Sequence, residues 1–130
     1  MLTVASGGIG GSVACYLFTP SSFSAGASGA VFGLFAALFV ILRRLKLDTS
    51  TLVPVLVVNI VFSFAPGISL AAHAGGLITG AMVAAVMAYA PQRNRTALTI
   101  ATVAGLYLLY AVAIVAQTSA LSSLPLPPAG

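Results

Sequence analysis

GASGAVFGLFAALFVILRRLK, residues Gly26 to Lys46, places one hydroxyl among small residues, then an apolar run, then a basic end. The run from Ser28 to Leu42 reads as a helix that terminates at Arg43-Arg44-Leu45-Lys46. About fifteen residues at ~1.5 Å each span roughly 22 Å, short of the ~30 Å hydrocarbon core of a bilayer. With the basic end at one interface, Ser28 lies below the opposite one.

Composition sets the class around this stretch. The 130 residues are 60% hydrophobic and 5% charged, with mean hydropathy +1.15. A soluble domain carries about 25% charged residues, so this chain cannot cover a water-facing surface. It reads as an integral membrane protein, which excludes an ordinary water-soluble enzyme. The net charge of +4 comes from Arg43, Arg44, Lys46, Arg93 and Arg95 against Asp48. Two short basic clusters between apolar runs are topology signals. No basic face or aromatic platform accompanies them, so nucleic acid is not expected as a partner. Cys15 is the single cysteine, which excludes an intrachain disulfide and fits a small packing residue. With one histidine and one acidic residue, no metal site built from this chain alone is expected, nor any cofactor. Met1 is followed by no basic secretory leader. Either the chain starts there or upstream sequence is missing.

The expected fold is all-α, a polytopic transmembrane helix bundle of about five membrane segments. The spans are 2–18, 28–42, 52–65, 69–90 and 96–118 within one domain, 1–118, and a proline-rich tail, 119–130, is expected to be disordered. Gly7-x-x-x-Gly11 in the first span is a small-xxx-small pattern. Residues 19–27, after Pro20, read as a loop. Asn59 and Ser63 share a helix face, and Asn59 is expected to bond a neighbouring helix. Tyr107 and Tyr110 are expected to be packing or interface residues. Two passes separate the basic loops 43–46 and 93–95, which places both on one side, cytoplasmic by the positive-inside rule. The cell membrane is the expected location.

His73, the lone histidine, is ~17 residues above its inner helix end near Ala90, and Ser28 is ~15 above Arg43. The depths differ by only ~3 Å. A serine hydroxyl needs a base within ~2.6–3.2 Å to become a nucleophile, and the imidazole is the base this chain offers at that depth. Gly26 and Gly29 would admit a substrate backbone. Backbone N–H groups around Ser28, at a helix N-terminus, can meet a developing oxyanion. Gly76 and Gly80 follow His73 and would let its helix approach the one from Ser28. Against this stand two plainer readings: a packing serine, and an interior histidine that is merely hydrogen-bonded.

Gly26-Ala27-Ser28-Gly29 resembles the GxSG motif of the rhomboid family of intramembrane serine proteases, and His73-x-x-Gly76-x-x-x-Gly80 resembles its H-x-x-G-x-x-x-G motif. The resemblance runs from the family's third core helix to an extra seventh. It implies Ser28 as nucleophile and His73 as general base, a dyad without an acid. Substrates would be transmembrane proteins, cut near the outer membrane face. Two departures accompany it. The family carries two further helices upstream, the second with a His and an Asn at the oxyanion hole; these are expected to be missing here and required for activity. Phe32 stands where the family often has a tyrosine stacked on the histidine. The alternative is a non-catalytic relative that binds transmembrane segments.

Overall fold

A computed structural model describes residues 1–18, 26–66 and 68–123. Among these residues five helices and no strands form: α1 (Leu2–Phe18), α2 (Gly26–Arg44), α3 (Leu52–Phe62), α4 (Leu70–Tyr89) and α5 (Arg95–Ser122). The all-helical bundle matches the expected class. Its helix ends differ in three places. The second helix begins at Gly26, so Ser28 is its third residue. The third is short, ending at Phe62, with a turn through Ser63 to Ala65. The last runs to Ser122, so residues 119–122 are helix rather than tail. Ser119 and Ser122 return their hydroxyl protons to the carbonyls of Val115 and Ser119, which lets polar residues stay helical. Most of the expected 19–27 loop, and the tail from residue 124 on, lie outside the described residues.

Local chemistry explains the ends. At the close of α2, Leu47 N–H bonds Leu42 O at 2.9 Å and Lys46 N–H bonds Arg43 O at 3.2 Å. This is a Schellman closure, with Lys46 at φ 55 in the left-handed position usually given to glycine. Ser69 caps α4 by accepting the Ala72 N–H at 3.2 Å. Ala90 ends α4 in an extended conformation, the one imposed by the following Pro91. Loss of the cap in Ser69→Ala should cost about 1 kcal/mol, read as a lower unfolding midpoint in detergent; an unchanged midpoint would show that the cap is dispensable.

Three helices, α1, α2 and α4, make the core, and glycine is what brings them together. Gly7 and Gly11 of α1 face Gly33 and Gly29 of α2, so these helices are antiparallel. Gly29 and Gly33 in turn face Gly76 and Gly80 of α4, so α2 and α4 run parallel. A methyl group at Gly76 would lie 2.2 Å from Gly29 O, and one at Gly80 would lie 2.4 Å from Gly33 Cα. The backbones themselves are in contact, as in small-residue membrane interfaces. The far ends of α2 and α4 are tied as well. Arg44 Nε donates to Ala88 O at 3.2 Å, and its guanidinium lies 5.5 Å from the centre of the Tyr89 ring.

The remaining helices sit outside this core. Tyr16 shares a hydrogen bond with Thr118 at 2.9 Å, and Tyr110 another with Thr79, which fasten α5 to α1 and α4. The buried apolar side chains are mostly small, with Val83 fully enclosed. Large ones face outward: Leu108 is 67% exposed, Val115 64% and Phe62 66%. Such a distribution would be costly in water and suits a lipid exterior, where packing of small residues replaces the hydrophobic drive between helices.

Candidate active site

The parallel pairing of α2 and α4 has a direct consequence. Both helices open at the same end of the bundle, and each carries a candidate residue in its first turns. Ser28, part-buried, precedes Gly29, whose backbone touches Gly76. His73 lies one turn after the Ser69 cap. Gly26 starts α2, so the GxSG stretch is the first turn of a helix. The N–H groups of a first turn have no intrahelical acceptor and carry the positive end of the helix dipole.

His73 is held from two sides. Phe32, one turn below Ser28 and 4% exposed, stacks on the imidazole with ring centres 4.2 Å apart and planes 17° apart. Phe35 braces Phe32 edge-on at 6.4 Å. On the other side, Ser63 Oγ lies 2.5 Å from His73 Nδ1 and donates to Asn59 O at 2.9 Å. Ile60, Leu70, Ala74 and Leu77 join Phe32, Ser63 and His73 around a cavity of about 140 Å³. The bundle thus brings His73, Phe32, Gly29, Gly76 and Gly80 into one region, beside the first turn that holds Ser28.

Ser63 was not legible as a member of this site. The sequence shows only that it shares a face with Asn59. Its approach to His73 depends on the turn between α3 and α4, ten positions of chain folding back on themselves. Asn59 departs from expectation in a related way. Its side-chain amide donates to Val55 O at 2.8 Å within α3 rather than to a neighbouring helix, because a carbonyl one turn back is within immediate reach.

Asp48, the only acidic residue, is engaged elsewhere. Ser50 donates to it through its hydroxyl at 2.5 Å and its backbone N–H at 2.8 Å. These bonds hold the Asp48 carboxyl below its ordinary pKa. It follows α2, whose 19 residues separate it from the Ser28 end by roughly 28 Å. Ser63 and Phe32 thus offer His73 neutral partners, a hydroxyl and an aromatic face. Nor does any group of histidine, cysteine and acidic side chains among those residues form a metal site.

A family profile described as the Rhomboid domain matches residues 1–90, a stretch that holds both motifs and the whole glycine-packed core. The chain belongs to the rhomboid family. It is 36% identical over 91 residues to RHOMBOID-like protein 4 of Arabidopsis thaliana, covering 65% of this chain and 23% of that one. It is 40% identical over 93 residues to Rhomboid protease GluP of Bacillus subtilis (strain 168), covering 67% and 18%. This rhomboid chain therefore spans about a fifth of the length of those curated relatives. No solved structure matches. Rhomboids are membrane-embedded, and among the described residues two helices, α4 and α5, are long and apolar enough to cross a bilayer. The matched region ends where α4 does, so α5 lies beyond it.

Proposed function

We propose that this rhomboid is an intramembrane serine endopeptidase that cuts transmembrane protein substrates near the outer membrane face through Ser28 and His73. The observation that carries the reading is the held imidazole. A histidine stacked on Phe32 and bonded to Ser63 beside the opening turn of α2 is oriented for proton transfer. His73 takes the Ser28 proton as Oγ attacks the scissile carbonyl carbon. The carbonyl oxygen gains the negative charge and is met by first-turn N–H groups near Gly26 and Gly29. His73 then gives the proton to the leaving amine, and an acyl-enzyme ester remains on Ser28. Water, deprotonated by the same imidazole, releases the new carboxyl end and restores the serine.

On this proposal the basic loops 43–46 and 93–95 face the cytoplasm and the Ser28 end faces outward, in the cell membrane. In the family, upstream helices complete the oxyanion hole, and the isolated 130 residues are expected to be weakly active or inactive, which a cleavage assay of those 130 residues checks. The direct test is a fluorophosphonate probe applied to the membrane-embedded protein. The parent should label at Ser28, and Ser28→Ala should not label. Equal labelling of both would remove the nucleophile assignment and leave a protein that binds transmembrane segments without cutting them.

A further inference from the structure

Ser63 lies just past the end of α3, is 2% exposed and makes two polar contacts of different kinds. Asn59 O, at 2.9 Å, can only accept a hydrogen bond; His73 Nδ1, at 2.5 Å, can accept or donate. A hydroxyl carries one proton. With that proton on Asn59 O, the serine oxygen offers a lone pair to Nδ1, and Nδ1 must supply the hydrogen. A neutral imidazole has a single N–H, so Nε2 is left bare. Asn59 does not disturb this arrangement, since its side-chain amide is turned to Val55 O.

We propose that Ser63 is a positioning residue that holds His73 in the Nδ1–H tautomer, with the Nε2 lone pair as the basic site. Phe32 fixes the plane of the ring, and the Ser63 bond fixes its rotation within that plane. In triad hydrolases a carboxylate performs this orientation and also stabilises the imidazolium. Here a neutral hydroxyl performs the first task alone. The Nδ1–H bond to Ser63 persists while Nε2 gains and loses a proton, so the ring need not reorient between steps. That Nε2 serves Ser28 rests on the protease reading above; the tautomer itself does not.

His73 is the only histidine, so ¹⁵N-histidine labelling reports on it alone. The experiment is ¹⁵N NMR of the full 130-residue chain in lipid bilayers, at a pH where the ring is neutral. The parent should show a protonated Nδ1 and a bare Nε2. Ser63→Ala should move the population toward Nε2–H, and Ser63→Thr, which keeps the hydroxyl, should restore Nδ1–H. The rate of fluorophosphonate labelling should fall about tenfold in Ser63→Ala, the scale of one hydrogen bond, and recover in Ser63→Thr. A parent with Nε2–H, or a tautomer indifferent to Ser63→Ala, overturns the assignment. A parent that shows the Nδ1–H form, responsive to Ser63→Ala, yet never labels would support the assignment while refuting the dyad.

Discussion

In His73→Ala, labelling of Ser28 and cleavage of a transmembrane substrate should both fall by about 10⁶-fold, the loss seen when the histidine base of a serine hydrolase is removed. The size of the effect follows from what is lost. A serine hydroxyl is a weak nucleophile until its proton has somewhere to go, and the one acidic residue lies at the far end of α2, bonded by Ser50. No second base can substitute. The fold should survive the change: His73 is only part-buried, and Ser63 keeps its bond to Asn59 O. Ser28→Ala should be as severe, and the double variant no worse than either single one, because two groups that act as a unit are not additive. Rates for His73→Ala within tenfold of the parent, with the fold intact, would remove His73 as the general base.

Gly76→Ala should break the bundle where α2 and α4 touch. The added methyl would lie 2.2 Å from Gly29 O, 2.7 Å from Gly29 Cα and 2.8 Å from Gly29 C. All three are backbone atoms of a helix, which cannot rotate aside as a side chain would. Gly29 is itself backed by Gly11 of α1, so α2 cannot simply retreat. Overpacking a close-packed site costs about 1–3 kcal/mol, and a rigid backbone neighbour places this site at the upper end, about 3 kcal/mol. Gly105 provides the control, since a methyl there meets nothing within 4 Å. Gly105→Ala should be neutral or stabilise by up to about 1 kcal/mol through helix propensity. Unfolding of both variants in detergent micelles decides the matter, and equal midpoints would show that the glycine contact does not hold the core. On the protease proposal, separation of α2 from α4 should also disturb the dyad, so labelling should fall with stability in Gly76→Ala and stay unchanged in Gly105→Ala.

Sequence alone determined the class, the helical segments and the two motif residues. Charge content of 5% and long apolar runs state the solvent of the exterior, and basic clusters and prolines state where helices stop. These are local properties, readable from a window of about twenty residues. Phe32 could be named as the partner of His73 through family resemblance, and the spacing Gly76-x-x-x-Gly80 marked a face made for close approach. Which glycines would meet was not readable: the convergence of Gly7, Gly11, Gly29, Gly33, Gly76 and Gly80 needs three helices in one register. The α2 helix starts two residues before the run read from Ser28, since glycine and alanine ahead of that serine carry no strong signal of their own. The tertiary structure also decided the environment of His73. A serine ten positions away along the chain is an ordinary hydroxyl until the α3–α4 turn folds it back to 2.5 Å from Nδ1. Apolar patterning specifies which segments enter the membrane, but the partner of a buried polar atom depends on how those segments pack, and packing brings together residues that no local pattern connects.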